Sequence, residues 1–556
     1  MATIKMDWIK NLLIAAMLAV LLLLFIRWNE FQEQHQPQLD ESSQSSVSAS
    51  SVPVASEIPT AANQTDAPID STKDEIVSRV ISVSTDSLNV SINTLGGDIV
   101  GVSLPKFFEK ENTPDRPFVL LDNRGNHTYI AQSGLIGVNG TDQADGSRPL
   151  FSSAQTQYTL AEGQDTLVVD LVLNQGNTTI TKRFTFTRGD YLVKLDYLID
   201  NRAETPWSAQ LYGQIKRDSQ NFVKVNAMQM NPFLGAAITT NDANYKKYSF
   251  GDISEKSISE VKQGGFVAMV QHYFISAWIP AAESENTYRL RKLANQDAYL
   301  FGFTTPAVQV AAQSQGTLSA SFYAGPKDTE RLEAISPYLD LTVDYGWLWW
   351  IAKPLFWLLK FIHGFVGNWG LAIIGLTIIV KALFFNLSAT SYRSMARMRK
   401  LQPKMAELKE RCGDDKQKFS QEMMKLYKTE KVNPFGGCLP LLIQMPVFIA
   451  LYWVLMESFE LRHAPFFGWI TDLSVKDPLF VLPILYGISM WFMQKLNPQP
   501  ADPMQAKIMQ MLPIIFTFMF LWFPAGLVLY WVTNNILSMA QQYVITKKIE
   551  NEDTKV

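Results

Sequence analysis

Five apolar stretches, at about 369–387, 439–456, 479–495, 508–523 and 526–545, follow one another through the C-terminal part of the chain. A bilayer is the solvent that suits such a run of segments. Inside it each segment must satisfy its own backbone hydrogen bonds, which selects helices. A sixth stretch, Leu12–Ile26, has Lys5 and Lys10 before it and Arg27, Glu30 and Glu33 after it. Arg27-Trp28 stands where a small-residue cleavage site would be. The expectation is therefore an uncleaved anchor over 1–31 with a cytoplasmic N-terminus. Six spans return the C-terminus to that side.

Charge gives an independent check. Between Ser388 and Pro434 there are twelve Lys/Arg against six acids, whereas Glu457 to Asp477 holds only Arg462 and Lys476 against four. Basic loops stay inside, so 388–437 is expected in the cytoplasm. The whole-chain charge of −3 hides this asymmetry and argues against general nucleic-acid binding. Cys412 and Cys438 are the two cysteines; they sit in no CxxC or zinc-like spacing and read as ordinary small residues.

From about Gln32 the composition turns to Ser, Ala, Gln, Pro and Thr, as in "ESSQSSVSASSVPVAS", and 32–74 reads as a flexible tether outside the cytoplasm. Alternating runs follow, such as "TLVVDLVLN", "TTITKRFTFTR" and "YLVKLDYLID". Their period of two between Gly, Asn and Asp turns predicts an all-β sandwich over 75–344. In 345–366, Trp347, Trp350 and Trp357 supply apolar bulk, and Lys353 and Lys360 share a face. That pattern suits an amphipathic helix at the membrane interface. The alternative is a first span interrupted by Pro354.

The basic segment has a period of its own. Met395, Met398, Leu401, Met405 and Leu408 step by threes and fours, as do Phe419, Met423 and Leu426. Gly413 offers a stop between them and Asp414 or Asp415 a cap, giving a cytoplasmic helical hairpin in which Pro403 kinks the first arm.

The spans are poor ones. Those at 479–493 and 508–523 run about 15 and 16 residues, where about 20 would cross a typical core. Prolines 440, 446, 483 and 513 interrupt them, and short spans favour a thinned bilayer. The last span carries Tyr530, Asn534, Ser538 and Gln541 as one polar stripe; Gln444 and Thr377 are further polar candidates. Such groups either hydrogen-bond helix to helix or line a wet cavity. Lys381 sharpens the question, since a charge at the centre of a span costs about 2.5–3.5 kcal/mol. Either it snorkels to the cytoplasmic surface or it serves a polar interior.

The stretches "KVNPFGGCLPLLIQMPVFIALY" (431–452), "DPMQAKIMQMLP" (502–513), "LWFPAGLVLYW" (521–531), "RKLQPKMAELKER", "GDDKQKFSQEMMKLYK" and "INTLGGDIVGVSLP" resemble the YidC/Oxa/Alb insertase family, in its Gram-negative form with a large periplasmic domain. The resemblance covers essentially the whole chain. It implies a polytopic α-helical membrane protein whose five-helix core surrounds a hydrophilic groove open to cytoplasm and lipid and closed to the outside. It also implies that the outer domain is a β-supersandwich similar to sugar-mutarotase folds.

The family's basic groove residue, usually Arg, falls on Lys381. The charge is kept and the planar fork that grips carboxylates is lost. An aromatic pair lining the groove falls on Tyr530 and Trp531, the second often Tyr in the family. The expected groove is therefore Lys381, Thr377, Gln444, Tyr530, Trp531, Asn534 and Ser538, with Arg397, Arg399, Lys400 and Lys404 on the capturing hairpin. The organisation expected is an anchor (1–31), a periplasmic linker (32–74), the β domain (75–344), an interfacial helix (345–366), a second span (367–387), the hairpin (388–437), spans three to six (438–545) and a cytoplasmic tail (546–556). Insertion and folding of new inner-membrane proteins is the implied activity, without catalytic residue, metal or cofactor. The implied partners are nascent membrane proteins, ribosome–nascent chain complexes, the Sec translocon with its accessory subunits, and the phospholipid bilayer. A transporter would want paired repeats or intramembrane acids, and an enzyme a motif such as HExxH, GxSxG or GxxxxGK[ST]; the sequence has none of these. A purely Sec-dependent membrane chaperone is the nearer alternative.

Overall fold

A computed structural model describes residues 57–59, 79–221 (without 112, 114, 126 and 144), 232–413, 415–430, 432, 439–497 and 503–553. The anchor, most of the 32–74 linker, Asp414, Cys438 and the end of the tail lie outside the described residues.

The alternation read in the sequence becomes two antiparallel-dominated sheets, of eleven and nine strands among the described residues. The strand Thr178–Thr187 shows the cause: Ile180, Phe184 and Phe186 turn inward while the intervening residues face out. It pairs with Leu192–Asn201, which pairs in turn with Ser314–Pro326. The inner faces of both sheets meet in one core containing Val169, Phe184, Tyr197, Leu211, Ile215, Trp278 and Phe301.

One inward position breaks the apolar rule. Lys182 is fully buried, and its Nζ donates to the carbonyls of Gly96 (2.9 Å) and Ser133 (3.0 Å). Nearby, Arg148 pairs with Asp98 and Asp142, both at 2.6 Å. Burial pushes the Lys182 ammonium down to about 7, Asp98 partly opposing the shift.

Two short helices, α1 (Phe250–Glu255) and α2 (Thr329–Ile335), belong to the β domain. Nine more follow among the described residues: α3 (Trp349–Val366), α4 (Trp369–Leu383), α5 (Phe385–Lys400), α6 (Gln402–Cys412), α7 (Lys416–Thr429), α8 (Leu439–Glu457), α9 (Val481–Leu496), α10 (Pro503–Phe520) and α11 (Ala525–Asp553). Gly367 closes α3 at φ +64°, a left-handed conformation that costs glycine nothing, and Asn368 caps α4 through Leu371 N. Helix α11 packs against α4, α5, α8 and α9.

No single helix among the described residues is long and apolar enough to cross a membrane alone. Helices α4 and α5 qualify together, bent by 68° at Phe384. Pro403 does not kink a continuous arm. The helix stops at Lys400, and Pro403 falls in the first turn of α6, where its missing N–H costs no hydrogen bond. Asp415 caps α7 by accepting from Gln417 N and Lys418 N.

The β domain is packed directly onto the helices. A second core joins Ala268, Ile275 and Tyr323 of the sandwich to Leu348, Leu359, Val454 and Leu461. Polar contacts lock the same junction. Lys327 pairs with Glu457 at the end of α8, His272 Nε2 donates to the Met456 carbonyl (2.7 Å), and Arg462 donates to the Phe108 carbonyl while lying over the Phe118 and Phe274 rings. The two lysines of α3 find acids here as well, Lys353 with Asp340 (2.7 Å) and Lys360 with Glu330 (2.8 Å). The side of α3 turned away from its buried Ala352, Phe356 and Leu359 leaves Trp350, Trp357, Phe361 and Phe365 exposed, an apolar face of the kind an interfacial helix needs.

Candidate functional site

Lys381 lies in the last turn of α4, just before the break at Phe384. Lys381 Nζ donates to Ser538 Oγ (2.8 Å) and to Gln444 Oε1 (3.4 Å). Gln444 Nε2 donates in turn to Asn534 Oδ1, and Ser538 Oγ donates to the Asn534 carbonyl (2.7 Å). Four of the expected residues, from three helices, thus form one connected cluster. Asn534 and Ser538 are one helical turn apart and so present a single face to Lys381.

The cluster is unbalanced in charge. Lys381 is half-buried, yet its acceptors Ser538 Oγ and Gln444 Oε1 are neutral, and no ion pair to it occurs among the described residues. Glu457, the acid at the end of α8, is already taken by Lys327.

The other expected residues divide differently. Thr377 is buried, but its hydroxyl donates to the Ile373 carbonyl of its own helix (2.6 Å) and does not join the cluster. Trp531 sits among aromatic rings instead, with centroids 4.2 Å from Phe448, 5.7 Å from Phe520 and 5.9 Å from Tyr486. Tyr530, 2% exposed, stacks at 6.4 Å on Phe448. Gln541 donates to the Phe385 carbonyl, tying α11 to the elbow.

A second polar face of α11 was not singled out in the sequence. Asn535 donates to Ser489 of α9 (3.1 Å), and Gln542 donates to the Leu496 carbonyl and to Asn497 Oδ1. The signal for it was present: Asn535 and Gln542 are seven residues apart, two turns on one face.

The bundle end nearer the β domain is stitched to the 458–480 connection. Ala525 N donates to Val475 O (2.7 Å) and Gly526 N to Leu473 O (2.9 Å), while Asp477 accepts from Leu482 N and the Trp469 indole. On the hairpin, Arg397, Arg399, Lys400 and Lys404 are all exposed, Lys404 bridging to Glu430 at 2.6 Å. Leu401, Met405, Tyr427 and Val432 form its small core.

Comparison with known proteins agrees with this architecture. Residues 80–358 match the family described as YidC periplasmic domain, and 361–552 match the family described as 60Kd inner membrane protein. The chain is 71% identical to the membrane protein insertase YidC of Cellvibrio japonicus, over 99% of this chain and 100% of that one. It is 54% identical to that of Saccharophagus degradans, over 98% and 100%. Among solved structures it is similar to an active YidC insertase with the first transmembrane domain resolved, at 19% identity and a TM-score of 0.38, over 85% of this chain and 93% of that one. With both halves matched and full-length relatives this similar, the chain belongs to the YidC family of membrane protein insertases.

Proposed function

We propose that this chain inserts newly made proteins into the bacterial inner membrane and helps them fold, and that the cluster around Lys381 receives the polar tail that must cross first. The observation that carries this reading is the pairing of Lys381 with neutral groups alone. An ammonium satisfied by an amide and a hydroxyl keeps its attraction for an arriving carboxylate, and a partly dry site strengthens that attraction. Ser538 and Gln444 hold the cation in place until it acts.

The exposed basic hairpin meets the client first. The acidic tail then passes to Lys381, and the apolar span slides into lipid along aromatic and aliphatic side chains, driven by removal of its surface from water. Thr377, Tyr530 and Trp531 shape the wall of that path without holding the charge. The topology proposed with this mechanism has six spans, both termini in the cytoplasm and 32–344 in the periplasm, on the strength of the basic loop. Ribosome–nascent chain complexes and the Sec translocon are the partners proposed for clients too large to enter alone.

The test is insertion of a single-span client with an acidic outer tail into proteoliposomes holding wild type, Lys381→Gln or Lys381→Arg. Gln should slow insertion about tenfold, the loss of roughly 1.4 kcal/mol of attraction, and Arg should restore it. Normal insertion by Gln would overturn the role of Lys381. Failure of the wild type would favour a chaperone that depends on the Sec channel.

A further inference from the structure

Strands alternate their side chains, so one face of a sandwich sheet meets the core and the other meets water. In the strand Trp207–Arg217, Trp207, Ala209, Leu211 and Ile215 fill the core. Tyr212, Gln214 and Lys216 take the opposite face. Yet Tyr212 is 0% and Gln214 3% exposed. The neighbouring strand His127–Ile136 places Gln132 opposite Gln214 and Ile136 opposite Gln210, and both of its residues are buried too. Part of the cover is Asp142, which accepts from the Tyr212 hydroxyl (3.2 Å).

The rest comes from far away in the sequence. Ile58 is 4% exposed and packs on Ile136 and Tyr212. Gln214 Nε2 donates to the Glu57 carbonyl (2.9 Å), and Lys216 Nζ pairs with Glu57 Oε1 (2.5 Å). The second hydrogen of the same Gln214 amide goes to Gln132 Oε1 (2.9 Å), whose own amide donates to Asp98 (3.1 Å), the partner of Arg148. Glu57 is thus joined through two glutamines to the charges buried inside the domain. Chain connectivity does not impose this attachment, because the first strand begins only at Val80.

We infer that Ile136, Tyr212, Gln214 and Lys216 form a peptide-binding site on the β domain whose ligand is this chain's own Glu57-Ile58 segment. Each contact reads one chemical feature. The apolar pocket takes a branched aliphatic side chain, the Gln214 amide takes a main-chain carbonyl, and Lys216 takes the carboxylate one residue earlier. The site works as a clasp on the linker. Fastened at Glu57, the chain is held to the β domain 23 positions before Val80, where the first strand among the described residues begins.

The experiment is hydrogen exchange on the full-length protein in lipid nanodiscs, comparing wild type with Ile58→Asp, Glu57→Lys and the charge-reversed pair Glu57→Lys/Lys216→Glu. Ile58→Asp should raise exchange at residues 57 and 58 and at Tyr212–Lys216 by about tenfold or more, leaving Thr178–Thr187 unchanged. Glu57→Lys should loosen the same amides, and the reversed pair should recover protection. A capped Ser-Glu-Ile-Pro-Thr peptide added to the Ile58→Asp protein should protect Tyr212–Lys216 again. Unchanged exchange in Ile58→Asp, or a peptide that gives no protection, would overturn the clasp. Loosening spread through the whole sandwich would also overturn it, by making the segment part of the core and not a ligand.

Discussion

Lys327 of the β domain and Glu457 at the end of α8 form an ion pair sealed from solvent, their side chains 2% and 4% exposed. Two ions in such a place hold their charges only because each has the other. The pair lies where sandwich and helices share a core, so it ties the outer domain to a core helix of the insertase.

Removing one partner should therefore cost more than removing both. Lys327→Met or Glu457→Gln is expected to destabilise the junction by about 3–5 kcal/mol, whereas Lys327→Met/Glu457→Leu should recover much of it. A double-mutant cycle on denaturant midpoints, followed by a probe at the junction, measures the coupling. A loss in the double equal to the sum of the two single losses would show no coupling.

His272 makes the same junction sensitive to acid. Its ordinary value of 6.5 falls to about 3, by burial first, then by the charge of Lys327; the hydrogen bond to the Met456 carbonyl opposes the fall and Arg462 adds to it. Tyr273 stacks on the ring at 3.7 Å. The folded value lies below the unfolded one, so the unfolded state binds more protons between pH 3 and 6.5. The contribution is complete above pH 6.5 and is lost as pH falls through that window. At pH 5 the loss should be about 1 kcal/mol, allowing for the ring's partial exposure. His272→Gln keeps a donor that does not titrate, and its junction should lose less stability between pH 7 and 5.

Asn534 holds Gln444, which in turn helps hold Lys381. Asn534→Leu leaves the half-buried Gln444 amide without its acceptor and frees the lysine to turn toward the surface. Insertion of acid-tailed clients should slow several-fold, roughly 1 kcal/mol, with the β domain's melting unchanged. Thr377→Val should leave insertion near wild type, because that hydroxyl donates to the Ile373 carbonyl of its own helix.

Gly487 marks the close approach of α9 and α10. A Cβ there would stand 1.9 Å from Thr517 Oγ1, a hydroxyl bonded to Pro513 O. Gly487→Ala should cost about 1–3 kcal/mol in thermal inactivation of the purified protein. Gly364 of α3 has open space around it, and Gly364→Ala should be neutral or stabilising by up to about 1 kcal/mol.

Alternation alone revealed the sandwich, and helical spacing revealed that Asn534 and Ser538 face the same way. The convergence of Lys381 with Gln444 is a tertiary fact, the meeting of helices far apart in sequence, which no local pattern announces. Thr377 was misleading for a physical reason: threonine on a helix can bond the carbonyl four residues back and so hide its polarity. Lys353 and Lys360 share a face as read, but their partners are Asp340 and Glu330, far enough off in sequence to be invisible to periodicity. Asn535 and Gln542 were missed because the neighbouring stripe drew attention to the other side of α11.

The elbow at Phe384 also decides where the hairpin reaches. Continued straight, the sixteen residues of α5 would add about 24 Å along the axis of α4. Turned through 68°, the same arm advances only about 9 Å and sweeps roughly 22 Å sideways. Its basic side chains are spread like an awning over ground beside the bundle. The pivot at Phe384 is one turn of helix from Lys381, so both arms of the elbow meet beside that lysine.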